Sequence, residues 1–208
     1  MEQANETEQL IFDIARAEWD LFQNVQNTGG RASCQDDPDT FFKMRMSQWM
    51  IYSKEILESY FADLQEAIGE GRNLIFEKYA YMMETTYPEE YEELKAHLPE
   101  VSKQKEVWVE ELAKIHVNWD EEVLQKYPHV RGNGRVLKTE EDSVVNGSSS
   151  ESYLKGEYKT YSEKTLSLIR QAVLHAVEKG ENLAEQIMEN EVKFFGYASL
   201  QDAEEKMR

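Results

Sequence analysis

Several charged or ring-nitrogen side chains in this sequence sit at positions where helical spacing calls for apolar ones, and these are the residues that could do chemistry. Arg72 opens a stretch, Gly71 to Glu84, that reads as one helix, and it projects along the direction of Phe76, Tyr79 and Met83, so its guanidinium overhangs an apolar face. Glu18 falls among Ile11, Ile14, Phe22 and Val25, Glu191 between Ile187 and Phe195, and His116 in line with Leu112, Trp119 and Val123. Arg45 and Asp63 share the direction of Tyr52 and Ile56, yet on one helix they would stand roughly 27 Å apart, too far to pair with each other. A charge left unpaired among core residues costs about 3 to 5 kcal/mol, so each needs a partner from another helix. A long stem with its charge reaching water would explain Arg72 alone, and a buried ion pair any one of the others. Taken together, they point to a polar cavity enclosed between helices.

More specific chemistry finds little support. A di-metal bundle site needs Glu-x-x-His pairs, and none of His97, His116, His129 or His175 has a glutamate three residues before it, so no metal ligand is assigned. Carboxylates are plentiful enough for oxygen-only Mg2+ binding. Cys34, just before a helix start, could be an activated thiol, but Asp36 and Asp37 push its pKa the other way. The Gly29 to Asp36 loop lacks the preceding strand and the Gly-Lys-Ser/Thr ending of a phosphate-binding loop, and no Gly-x-Ser-x-Gly elbow occurs. The sequence therefore names no cofactor and no catalytic residue.

The elements that must position these residues are helices. Apolar spacing predicts a first helix from about Glu6 to Gln26, ended by the turn Asn27-Thr28-Gly29-Gly30, then a polar loop to Asp36. Asp37-Pro38 reads as an N-cap with proline at the first helical position, opening a long second helix to about Ile68. On the Gly71–Glu84 helix, Ile75, Phe76, Tyr79, Ala80, Met82 and Met83 form the expected buried arc, with Asn73, Glu77, Tyr81 and Glu84 opposite. Thr86 with Glu89, Ser148 with Glu151, and Thr160 with Glu163 stand at capping-box spacing. Ser102 starts a helix that Tyr127-Pro128 ends, and residues 129–150 read as a long loop, mobile or functional. Further helices follow over about Glu151–Tyr158, Ser162–Lys179 with Leu166, Ile169, Val173 and Val177 inward, and Glu181–Phe195, before a turn capped by Ser199. The expected fold is all-α, a single multi-helix bundle over residues 1–208.

Composition narrows the partners. A formal charge of −18 repels phosphate backbones, and no basic block offsets it, so nucleic acid is not expected. With one cysteine, no leader-like apolar start and no long uncharged apolar run, the chain reads as a cytoplasmic protein with neither disulfides nor a membrane span. Such acidity also suits a basic protein partner or a cation.

Three runs resemble a known family: Gly29-Gly30-Arg31-Ala32-Ser33-Cys34-Gln35-Asp36 leading to Thr40-Phe41, the stretch from Arg72 to Tyr91, and Tyr153-Leu154-Lys155-Gly156-Glu157 with Thr160-Tyr161-Ser162. They are similar to the bacterial family termed domain of unknown function 4125, over nearly the whole chain. That resemblance implies a cytoplasmic bacterial protein without an assigned activity, found alone or attached to a nucleotidyltransferase-like domain. It coincides with Arg31, Cys34, Gln35, Arg45, Arg72, Glu77, Tyr79, Arg135, Tyr153, Glu157 and Tyr161. If these converge, the arginines would clamp a small anionic or polar ligand, the tyrosines would stack on it or hydrogen-bond to it, and Glu77 or Glu157 would orient the arginines or act as a base. The alternative is a non-catalytic acidic module that meets a protein partner, one such partner being nucleotidyltransferase-like. A pocket reading requires at least three of the named arginines and tyrosines around one hollow; the module reading has them paired off separately.

Overall fold

The computed structural model describes residues 2–26, 30–140 and 148–208, and these contain eleven α-helices and no strand. The helices are α1 (Glu2–Gln23), α2 (Pro38–Trp49), α3 (Lys54–Gly69), α4 (Leu74–Thr86), α5 (Pro88–Leu94), α6 (Lys103–Lys126), α7 (Pro128–Arg131), α8 (Ser150–Thr160), α9 (Glu163–Lys179), α10 (Leu183–Phe194) and α11 (Leu200–Lys206). Short 3-10 turns, Ser33–Asp36 and Lys95–His97, complete the set. The fold is all-α, as the period of the apolar residues requires.

Side-chain caps set several helix starts. Asp37 accepts from the Thr40 amide with Pro38 at the first position, Asn73 accepts from Ile75 and Phe76, and Ser102, Ser162, Asn182 and Ser199 each accept from an amide three residues on. Other expected caps are displaced. Ser149 with Ser152, not Ser148 with Glu151, opens α8; Tyr87, not Thr86, precedes Pro88 in α5; and Ser162, not Thr160, begins α9. Thr86 and Thr160 instead donate back to carbonyls of the preceding turn, those of Met82 and Glu157. The expected turn at residues 27–29 and much of the 129–150 loop, residues 141–147, lie outside the described residues.

The expected long helix from Pro38 to Ile68 is two helices. Met50 to Ser53 interrupt it, with Ser53 extended at φ −68° and ψ 157°, and α3 starts anew at Lys54. Trp49, Tyr52 and Ile56 are buried on both sides of the break, so the apolar spacing runs through it and hides it. Separation along one straight helix therefore does not apply to Arg45 and Asp63. Each still finds its mate elsewhere, Asp63 by accepting the Ser162 amide at 2.9 Å.

At the centre, α8 packs against α4 on one side and α6 on another, while α1, α2, α3 and α9 close the remaining walls. Trp49, Leu57, Tyr60, Leu64, Leu112, Leu166 and Ile169 form the middle of the core. Gly156 is what lets α8 approach α4: a Cβ there would stand 2.7 Å from the Lys78 carbonyl oxygen and 2.7 Å from Met82 Cγ. This close seam buries more of α4 than its apolar arc. Of the expected arc, Ile75, Ala80 and Met82 are buried and Tyr79 and Met83 partly so, but Phe76 is 39% exposed, and Glu77, Lys78 and Tyr81, two of them expected on the opposite side, are buried as well. Val177, expected inward on α9, is also exposed.

Candidate functional site

The α4–α8 seam contains a buried ionic network. Arg45 on α2 is 5% exposed, and all five of its N–H donors are used. Nε and Nη2 donate to Glu18 at 2.8 and 2.5 Å, Nη1 and Nη2 to Glu157 at 3.2 and 3.0 Å, and Nη1 to Gln48 at 2.8 Å. Glu157 also accepts from Lys78 at 2.6 Å, Tyr161 at 2.6 Å and Gln48 at 2.8 Å. Tyr60 donates to Glu18 at 2.8 Å, and the Trp49 indole approaches it at 3.4 Å. Burial pushes the Glu157 carboxyl up, but the charges of Arg45 and Lys78 outweigh it and hold the group well below the usual carboxylate range. Burial alone would lower Arg45; Glu157 and Glu18 together raise it well above its ordinary value. Two carboxylates and two cations cancel, and every Arg45 donor is spent, so this network holds helices together and leaves Arg45 none for a ligand.

Beside the network lies a cavity of about 660 Å3, walled by α2, α6, α8, α10 and the segment after α7. Gln48 belongs to both, bonded to Arg45 and Glu157 and lining the hollow. Most of the wall is apolar or aromatic, with Met44, Tyr52, Leu154, Tyr158, Ile187, Met188 and Phe195 among its members. Its polar groups are Gln48, His116, Asp120, Arg131, Asn133, Arg135, Ser150, Tyr153 and Glu191.

Arg131 is tied down. It meets Asp120 through Nε at 3.1 Å and Nη2 at 3.2 Å, donates to Ser150 Oγ at 2.9 Å, and gives Nη1 to the Arg135 carbonyl at 3.0 Å. Gly134 lies directly over that guanidinium, where a Cβ would meet Nη1 at 2.6 Å, so the loop can cross it only as glycine. His116 is 4% exposed, and its Nε2 has no hydrogen-bond partner among the described residues. Burial drives its pKa down to about 4, so the ring is neutral near pH 7. Glu191 goes the other way: burial raises its pKa to about 6, with Arg131 opposing and Asp120 adding to the rise. At the rim, exposed Arg135 places its guanidinium 4.5 Å from the centroid of the Tyr153 ring, over which Lys78 Nζ also sits at 3.4 Å.

The residues named from sequence divide into four groups, with Tyr79 apart from them. Arg45, Glu157 and Tyr161 build the network; Arg135 and Tyr153 line the cavity, so of the arginines and tyrosines named from sequence two, not the expected three or more, surround the hollow, and the others, Tyr79 apart, are paired off elsewhere. Tyr79 packs beside Phe22, ring centroids 6.2 Å apart, and burial raises its pKa, with Tyr153 and Cys34 adding and Arg135 and Arg45 opposing. Arg31 and Gln35 brace the 3-10 turn. Arg31 bonds Asp36, Gln23 and the Gln35 carbonyl, while the Gln35 amide donates to the Phe22 and Val25 carbonyls; Cys34 beside them is exposed. Arg72 is not aimed into a pocket. It precedes the Asn73 cap and forms two 2.8 Å hydrogen bonds with buried Glu77, so neither residue lines the cavity.

Lys78, Gln48, Arg131 and Asp120 escaped the sequence reading. Lys78 and Gln48 read as ordinary helix-surface residues, and Arg131 and Asp120 carry no local signal, because their pairing joins α6 to the end of α7. His116 and Glu191 stood out on apolar faces, and both line the hollow.

A family model described as protein of unknown function (DUF4125) matches residues 8–205. The chain belongs to this family. The DUF4125 match encloses the whole ionic network and all of the cavity wall except Met207. Comparisons with curated proteins and with solved structures gave no match. Among the described residues of this DUF4125 chain, no group of three or more His, Cys, Asp or Glu is placed to hold a metal ion, and no helix is long and apolar enough to cross a membrane.

Proposed function

We propose that this chain binds a small organic molecule, with an apolar body and an anionic group, in the cavity between α2, α6, α8 and α10. One observation carries the reading: a cavity of about 660 Å3, within the size range of small-molecule sites, has a mostly apolar and aromatic wall and, at its rim, an arginine that has no carboxylate partner among the described residues. Arg135 supplies the anion contact, since among the described residues its guanidinium stacks on Tyr153 without a carboxylate partner. The apolar wall takes the body of the ligand.

The test is calorimetry and thermal shift with 3-phenylpropionate, phenyl phosphate and 2-naphthoate, on wild type and Arg135→Gln. Binding in the wild type, weakened about 10- to 100-fold in the variant, is expected for loss of a charge-assisted contact. No saturable binding by any of them overturns the reading.

A second reading, docking of a partner protein's apolar side chain, is favoured by Met44, Phe195 and Met207, which line the hollow while being 41%, 44% and 39% exposed. Immunity of binding to Arg135→Gln would favour it.

A further inference from the structure

We infer that the molecule held in this cavity is amphoteric, carrying a protonated amine or amidinium that Glu191 receives as well as the anionic group that meets Arg135. This deepens the cavity reading and rests on it. Glu191 lines the hollow from α10, and among the described residues its carboxylate makes no hydrogen bond or ion pair. The charges around it leave it in excess. Asp120 on α6 neutralises Arg131, and that guanidinium is further occupied by Ser150 and the Arg135 carbonyl. His116, also on α6, is neutral near pH 7 and cannot serve as the counter-ion. Lys43 on α2 lies 4.8 Å from the Phe195 ring centroid, but its ammonium pairs with Asp39 at 2.6 Å. This end of the cavity therefore holds two carboxylates against one guanidinium.

A half-buried, uncompensated carboxylate is costly unless a donor arrives, and a ligand cation would be that donor. The neighbouring rings suit the same group, because Tyr52, Tyr158 and Phe195 are in the wall and aromatic rings attract a cation as well as a hydrocarbon. An anion alone would satisfy Arg135 and leave Glu191 repelling it. An amine on the same molecule removes that repulsion.

The experiment compares probes that share a phenyl body and differ in charge: 3-phenylpropionate, 3-phenylpropylamine, 3-phenylpropanol, phenylalanine and 4-(aminomethyl)phenylacetate. Each is titrated by calorimetry into wild type, Glu191→Gln and Arg135→Gln. Glu191→Gln is nearly isosteric, and its unliganded melting curve reports whether it is folded. At least one probe bearing both charges should bind about 10-fold or more tighter than 3-phenylpropionate, an advantage that Glu191→Gln abolishes while leaving 3-phenylpropionate no weaker. If 3-phenylpropionate binds with an Arg135-dependent affinity while every amine-bearing probe binds no better and is indifferent to Glu191→Gln, the inference falls and the cavity reading stands. If no probe binds the wild type, both fall together.

Discussion

Replacing Glu157 by glutamine tests the account of the ionic network most directly. The wild-type network sums to zero, with Glu18 and Glu157 against Arg45 and Lys78; the variant is left with one uncompensated positive charge among groups that are 5% exposed or less. Breaking a buried pair by removing one partner costs about 3 to 5 kcal/mol. In a chain of this size that is roughly 6 to 20 °C in melting temperature, at about 2 to 4 °C per kcal/mol. The sign with pH follows from the carboxyl's lowered pKa. Its contribution is fully present above the unfolded-state value, ordinarily 4.5, and is lost as pH falls toward the lower folded value. The gap between wild type and Glu157→Gln should thus be constant from neutral pH to about 5.5, then narrow on acidification. Adding Lys78→Met restores a zero sum, Glu18 against Arg45, and should recover part of the loss. Denaturant unfolding of wild type, single and double variants from pH 3 to 8 measures all three. A Glu157→Gln loss below about 1 kcal/mol at pH 7, or a gap that widens in acid, would refute the reasoning.

Three further outcomes are expected. Gly156→Ala should cost about 1 to 3 kcal/mol in denaturant unfolding, because its Cβ would press on the Lys78 carbonyl, part of the α4 backbone, and on Met82, where only the side chain can give. His116→Phe should flatten the wild-type loss of stability between pH 6.5 and 4. The histidine's folded pKa lies below its unfolded one, so its contribution is present above 6.5 and disappears as pH falls, by up to about 3 kcal/mol, as melting curves across that window would show. Arg72→Ala should lower the melting temperature by stranding buried Glu77, yet leave probe affinity in calorimetry unchanged; a weakened affinity would return Arg72 to the binding site.

Periodicity and caps determined the helical class, the Asp37-Pro38 start, the Ser102–Tyr127 helix and the suspicion attached to Glu18, Arg45, His116 and Glu191, because those features depend on neighbours within one or two turns. The break at Met50–Ser53 was illegible because the buried positions on both sides keep helical spacing. The breadth of the buried face of α4 was hidden for a different reason. Its apolar arc places Ile75, Ala80 and Met82 inward as the structure does, but the contact allowed by Gly156 and the charge of Glu157 draw Lys78 inward too, while Phe76 stays exposed. Which arginine is spent and which is free could not be read from sequence either. Arg72 finds its carboxylate five residues away, Arg45 meets glutamates 27 and 112 residues away, and Arg135 at the cavity rim meets a tyrosine ring. Sequence alone thus set the kinds of side chain and their faces within a helix. The partner of each charge, and hence where an unanswered carboxylate comes to line a largely apolar hollow, was decided by the meeting of helices distant in the chain, because charge compensation is a property of space and not of spacing.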